Sequence, residues 1–155
     1  MFPVTGDYFQ MNIEQIEAEW AKDSDLDITD LAAETRKTVK LHSKYYRLYR
    51  QSAAYTEKHK QLRAKLIRLK TEYYLGELDK ETLDKRGWKP FQKRLLKTEL
   101  PSYLASDDDM IECDLKLSEL NTITEFLESI IKSINNRGHH IRNVIEFLKF
   151  KNGGY

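Results

Sequence analysis

Two long stretches of the chain place apolar or small residues at alternating steps of three and four, the spacing of an α-helix that buries one side. The pattern predicts one helix over about 29–75 and another over about 109–150. The first would be roughly 70 Å long at the rise of an α-helix. Because such a helix is not stable alone in water, we expect a partner along its apolar side. The positions of the first repeat are Thr38, Leu41, Tyr45, Leu48, Ser52, Tyr55, His59, Leu62, Leu66, Leu69 and Tyr73.

Shorter elements are predicted around these two helices. Asn12 followed three residues later by Gln15 has the spacing of a capping box, and it predicts a helix over about 13–22. Residues 77–106 have no regular repeat and contain glycine and prolines, so we expect one or two short helices joined by loops. The sequence therefore predicts an all-α fold, an elongated hairpin or bundle of two long helices with a short N-terminal helix.

The length of 155 residues favours one domain. We expect residues 1–11 to be a flexible N-terminal arm and residues 12–152 to form a single helical domain. Gly76 follows the last periodic residue of the first long helix, where a left-handed cap is expected. The run from Ser106 to Asp109 is typical of a helix start, with carboxylates at the positive end of the helix dipole. Gly138 predicts either a close helix crossing or a break.

The C-terminal helix is apolar over more than one stripe, so it should be buried on more than one side. One side is expected to pack on the first long helix, and the remainder has to meet another subunit. The predicted oligomerisation residues are Ile141, Val144, Ile145, Phe147 and Leu148.

The net charge of +1 conceals a strong pattern along the chain. Residues 36–70 carry twelve basic residues and one acidic residue, whereas residues 1–35 and 98–131 each have a net charge of −8. A basic block of this kind is typical of a surface that binds nucleic acid or another polyanion. A solvated charged face is the plainer reading, but the near absence of acids within the block argues against it.

Further cations in the irregular region are interleaved with Trp88 and Phe91. Single-stranded nucleic acid binds such surfaces because bases stack on the rings while phosphates meet the cations. The alternative, that the two aromatic residues simply anchor the loop to the core, has equal weight. The candidate DNA-binding residues are Lys58, Lys60, Arg63, Lys65, Arg68, Lys70, Tyr74, Lys89 and Arg94.

Sequence motifs for catalysis and metal binding are not found. The chain lacks a glycine-rich phosphate loop, paired cysteines and a nucleophile signature, and its four histidines are poorly spaced for joint ligation. The single cysteine, Cys113, excludes an internal disulfide. We expect a protein that is not an enzyme and needs no cofactor or metal. No signal peptide or membrane-spanning stretch is visible, so a cytoplasmic location without membrane contact is expected.

Three segments of the chain together resemble one known family. Residues 68–76 resemble a family segment with a basic pair followed by Tyr-Tyr-x-Gly. Residues 43–45, Ser-Lys-Tyr, stand where the family shows Ser-Lys-Trp. Residues 136–141 resemble the family's Ser-Arg-Gly-x-x-Ile, about two turns before an apolar end. The family that these segments resemble is the UvsY recombination mediators of T-even-type phages, and the resemblance covers about residues 11–150, except for the dissimilar region around 77–105.

The resemblance implies a ring-like homo-oligomer that binds single-stranded DNA. It also implies that the protein helps a UvsX-type recombinase replace the phage single-strand-binding protein, in the cytoplasm of the infected bacterial host. The family's DNA-contacting basic pair falls on Arg68 and Lys70, with the order of lysine and arginine exchanged. The family's ring contacts lie mainly in the C-terminal helix. Two other interpretations are a structural coiled-coil protein that binds an acidic partner and an RNA-binding regulator.

Overall fold

The computed structural model describes residues 11–153, and the regular secondary structure in that range consists of α-helices. The helices are α1 (Ile13–Ser24), α2 (Leu31–Tyr74), α3 (Lys80–Arg86), α4 (Leu100–Ala105) and α5 (Asp108–Lys151). The all-α fold class is therefore confirmed, and the bounds of both long helices lie within two residues of those predicted. The flexible arm expected over residues 1–11 lies, except for Met11, outside the described residues.

The described residues form two compact units. The first unit comprises residues 56–119, and the second comprises residues 11–55 with residues 120–153. Both α2 and α5 contribute a segment to each unit.

The core of the second unit is built from the apolar sides of α1, α2 and α5. Ile16 of α1 and Leu41 and Tyr45 of α2 are buried in one cluster with residues of α5. Trp20 meets Tyr45 edge to face, with ring centroids 5.3 Å apart. Burial of each such side chain contributes about 1.5–3 kcal/mol, so this cluster is the main stabilising feature of the unit. Its α5 members are Ile123, Leu127, Ile130 and Ile134.

Polar pairs fix the register of α2 against α5 in the second unit. The hydroxyls of Ser52 and Thr124 are 2.6 Å apart. At the other end, Arg137 donates to the carboxylate of Glu34 and to the carbonyls of residues 24 and 25, at 3.1 and 3.2 Å. Arg137 and Glu34 are both buried. Ser52, late in the α2 segment of this unit, meets Thr124, early in the α5 segment. Glu34, early in α2, meets Arg137, further along α5. The two helices therefore run antiparallel in this unit.

The first unit has a smaller apolar core. Leu66 of α2, Leu83 of α3 and Met110 of α5 are its buried apolar side chains. Arg63 of α2 forms a salt bridge with Asp114 of α5. The predicted apolar stripe of α2 therefore faces the core of this unit, as its spacing predicts.

The predicted helix caps of α1 and α2 are confirmed. The Asn12 carboxamide accepts the Gln15 N–H at 2.9 Å, and the Gln15 side chain accepts the Asn12 N–H at 3.0 Å. Gly76 has a φ of 73°, and its N–H donates to the carbonyl of Tyr73 at 3.1 Å. The N–H of the next residue reaches back to the carbonyl of Glu72 at 2.8 Å, which completes a Schellman motif.

The start of α5 is confirmed, whereas a break at Gly138 is not. Asp107 caps α5, because its carboxylate accepts the N–H of Met110 at 3.1 Å. Helix α5 continues through Gly138 to Lys151. A Cβ built on Gly138 would meet no described atom within 4 Å, so no close helix crossing explains this glycine within residues 11–153.

Neither long helix contains a stretch apolar enough to cross a membrane, and the same is true of every other helix in residues 11–153.

Replacement of Gly138 by alanine should stabilise the protein. The position is helical, exposed and open, so the free energy of unfolding should rise by about 1 kcal/mol, the difference in helix propensity. Urea unfolding followed by circular dichroism measures the change. The matched control is Gly76→Ala, which should destabilise by about 1–2 kcal/mol because a Cβ disfavours positive φ. If Gly138→Ala proved less stable than the parent protein, the conclusion that the space around Gly138 is open would be contradicted.

Candidate nucleic-acid interface

Three cations of α2 project outward from the first unit. Lys58, Lys65 and Arg68 are exposed, and the Arg68 side chain is 84 % exposed. Arg68 donates to Glu72 one turn later at 3.0 Å. Lys58 and Lys65 form no ion pair with another described residue. All three side chains are accessible to the phosphates of a strand.

Two further predicted cations are partly neutralised by carboxylates. Lys60 contacts Glu57 at 2.6 Å within α2, and Arg63 contacts Asp114 of α5. Both pairs are solvent-accessible, and pairs of this kind contribute between zero and about 1 kcal/mol. A phosphate can therefore replace the carboxylate at little cost, so both residues stay within the candidate surface.

Lys70, which the sequence predicts as a DNA contact, is not part of the exposed basic surface. It is only 5 % exposed, and its ammonium lies 2.9 Å from Asp107 and 2.6 Å from Asp109. The same ammonium lies over the ring of Trp88, 4.2 Å from the centroid. The position lies on the inner side of α2, four residues after the buried Leu66. Lys70 therefore joins α2 to the start of α5.

Tyr74 is likewise directed inward, so its predicted DNA contact is not supported. Its hydroxyl donates to Asp107 at 2.7 Å. Its ring belongs to a cluster with Phe91 and Tyr103, at centroid distances of 5.0 and 5.6 Å. Burial opposes the charged form of Asp107, but hydrogen bonds from Tyr74 and Lys70 outweigh it and lower the pKa of the Asp107 carboxyl. Burial and the hydrogen bond to Asp107 raise the pKa of the Tyr74 hydroxyl well above its ordinary value.

The aromatic residues of the loop act as anchors, the second of the two roles that the sequence allows. Trp88 and Phe91 are half-buried and lie 5.0 and 5.8 Å from the ring of Tyr73. The Tyr73 hydroxyl also donates to the carbonyl of Lys89 at 3.0 Å. The side chains of Lys89 and Arg94 remain exposed. The cluster therefore fixes the loop while leaving its cations accessible.

The predicted oligomerisation residues divide into two groups. Ile141 is buried within the second unit, so its prediction as a subunit contact is not supported. Val144 and Leu148 are half-buried, and Ile145 and Phe147 are exposed, as is Phe150 of the same apolar segment, at 83 %. The end of α5 thus carries a run of exposed apolar side chains in the single chain.

Sequence reasoning missed the carboxylates that hold Lys70. The triple Asp predicts a helix start, and Asp107 does cap α5, but Asp107 and Asp109 also surround the Lys70 ammonium. The available signal was the position of Lys70 in step with the apolar stripe. No three side chains within residues 11–153 are placed to hold a metal ion.

Substitution of Lys70 should reduce stability far more than substitution of Arg68. Lys70→Ala leaves the buried carboxylate of Asp107 without its cation, and loss of one partner of a buried pair typically costs about 3–5 kcal/mol. Arg68→Ala removes an exposed charge and should change the free energy of unfolding by about 0.5 kcal/mol or less. Urea titrations of the two variants provide the comparison. Equal stabilities would contradict the structural role of Lys70.

The chain was compared with known protein families and with known proteins. The family model described as "Recombination, repair and ssDNA binding protein UvsY" matches residues 19–154. The recombination protein uvsY of Enterobacteria phage T4 is 26 % identical over 153 residues, which cover 92 % of this chain and 99 % of that protein.

Solved structures share the fold. A crystal structure of the bacteriophage T4 recombination mediator protein UvsY, lattice type II, has a TM-score of 0.79 at 22 % identity and covers 92 % of this chain and 98 % of that chain. The lattice type IV structure also has a TM-score of 0.79, at 21 % identity over 90 % and 99 % of the two chains. Since the family model spans nearly all of the described residues, the chain belongs to the UvsY family of recombination, repair and single-stranded-DNA-binding proteins.

Proposed function

We propose that this protein is a recombination mediator that binds single-stranded DNA and has no catalytic activity of its own. The observation that carries the proposal is the row of exposed cations on α2, Lys58, Lys65 and Arg68, in a chain of a family described as binding single-stranded DNA. In recombination and repair it promotes loading of a UvsX-type recombinase in place of the phage single-strand-binding protein.

The DNA contacts are electrostatic and independent of sequence. Cations on one side of a helix meet phosphates, which carry no base identity. Lys60 and Arg63 join the row by exchanging a carboxylate for a phosphate, and Lys89 and Arg94 extend it from the loop. Lys70 and Tyr74 support the surface from beneath through Asp107 and do not touch the strand.

The protein acts as a ring-like homo-oligomer, in which the exposed apolar residues at the end of α5 contact the next subunit. A large side chain such as Phe147 or Phe150 contributes about 1.5–3 kcal/mol when it leaves water. Repetition of the basic surface around a ring lets one strand contact many subunits. The second and later contacts are then intramolecular and cost little further entropy.

Removal of exposed cations should flatten the salt dependence of DNA binding. We expect Lys65→Ala with Arg68→Ala to lower the log–log slope of affinity against salt by about 0.7 for each phosphate that the variant no longer neutralises. Anisotropy of a labelled oligothymidylate at several salt concentrations measures the slope. The matched control is Lys22→Ala with Lys132→Ala, which removes two exposed cations outside the basic block. An equal effect of both pairs would show that net charge alone is responsible.

Replacement of exposed apolar residues at the end of α5 by polar ones should both separate the subunits and weaken DNA binding. Phe147→Ser with Phe150→Ser is expected to give a folded particle of lower mass by light scattering, with weaker binding to long strands. Both side chains are exposed in the single chain, so its own fold should tolerate the change. The control is Leu96→Ser with Leu115→Ser, equally exposed residues elsewhere. A monomer that binds as tightly as the parent would refute the coupling.

A further inference from the structure

A second basic surface lies on α2 in the second unit. Residues 36–50 contain six basic and no acidic residues. Two of the six are engaged: Lys37 contacts Glu34 at 3.9 Å, and Lys44 contacts Glu19 at 2.6 Å. The remaining four are exposed and form no ion pair with another described residue. They are Arg36, Lys40, Arg47 and Arg50.

Three aromatic side chains run beside these cations, and we call them the aromatic strip: His42, Tyr46 and Tyr49. The rings of His42 and Tyr46 are nearly parallel, at 13°, with centroids 5.7 Å apart. Tyr46 and Tyr49 follow at 28° and 6.2 Å. The spacing of the residues, four and three, places all three on one side of α2.

The aromatic strip is rigid on its inner side and open on its outer side. Tyr49 packs against the apolar core of the unit, whereas Tyr46 is 46 % exposed. At these separations two nearly parallel rings are displaced sideways and do not cover each other completely. Parts of aromatic faces are therefore presented to solvent. Val39, one turn before the strip on the same side, is also exposed.

Exposed ring faces beside cations fit some ligands better than others. An acidic protein would satisfy the cations but not the flat rings. Duplex DNA would offer phosphates, but its bases are already stacked. An unpaired strand offers both, because each base has a face for stacking and each nucleotide has a phosphate.

We propose that the aromatic strip, together with Arg47 and Arg50, is a base-stacking site for single-stranded DNA. It rests on the proposed function and goes beyond it, because the basic row in the first unit contacts phosphates only. Tyr46 is the central stacking residue, and the arginines neutralise the adjoining phosphates.

The decisive comparison uses two strands that differ only in their bases. One is labelled oligothymidylate, and the other is an abasic oligonucleotide of the same length and the same number of phosphates. Stacking contributes to binding of the first strand alone. Since one base–aromatic stack is worth about 1–3 kcal/mol, the parent protein should bind oligothymidylate at least about fivefold more tightly than the abasic strand.

Variants locate the site. Tyr46→Leu should lose most of this preference while its affinity for the abasic strand stays unchanged. Tyr46→Trp should retain the preference, and its indole fluorescence should be quenched by oligothymidylate and not by the abasic strand. Arg47→Gln with Arg50→Gln should weaken binding to both strands by the same factor. Circular dichroism and light scattering check the fold and mass of each variant.

Each contrary result has a distinct meaning. A parent protein that binds both strands equally well would overturn the stacking site and leave the proposed function intact. A parent protein that binds neither strand would overturn both. Retention of the full preference in Tyr46→Leu would also overturn the assignment. So would a fall in particle mass in that variant, because the aromatic strip would then be an interface between copies of the chain.

Discussion

The protein depends on coverage of the apolar side of α2. An isolated helix of 44 residues with a narrow apolar side has little stability in water, because helix propensity alone gives only a small gain per residue. In each compact unit the segment of α2 has an antiparallel segment of α5 against it, with polar pairs that fix the register. In the first unit these are Arg63 with Asp114 and Lys70 with Asp107. These pairs determine which side of α2 is covered by α5 and which side remains available to ligands.

This constraint divides the basic residues of α2 into two functional groups. Cations that face outward, such as Lys58 and Arg68, keep their charge available to a phosphate. Lys70 lies on the inner side, where a charge must be paired because an isolated ion is expensive to remove from water. Two carboxylates and the ring of Trp88 supply that pairing. A count of positive charges along the helix does not distinguish these groups, whereas the geometry of the helix does.

Periodicity predicted most of the fold because it reports which side of a helix is buried. The same periodicity also indicates which charged residues of the long helices are buried. Lys70 follows Leu66 by four residues, and Arg137 stands three residues after Ile134 and four before Ile141. A charged residue in step with buried neighbours is a candidate for a buried pair. Its partner cannot be predicted from spacing, since Glu34 is 103 residues from Arg137 and joins it only through the fold.

For the ring-like mediator proposed above, weak contacts would make binding to DNA both firm and reversible. Solvent-exposed cations that exchange carboxylates for phosphates gain little individually, so each subunit of the proposed ring would bind the DNA strand weakly. A base stacked on the aromatic strip would add a contact that salt does not screen, because stacking does not release counterions. Several light contacts in one assembly give high overall affinity, yet each can be released in turn. A protein that holds a strand and then releases it to a recombinase, as we propose, would be better served by this arrangement than by one tight site.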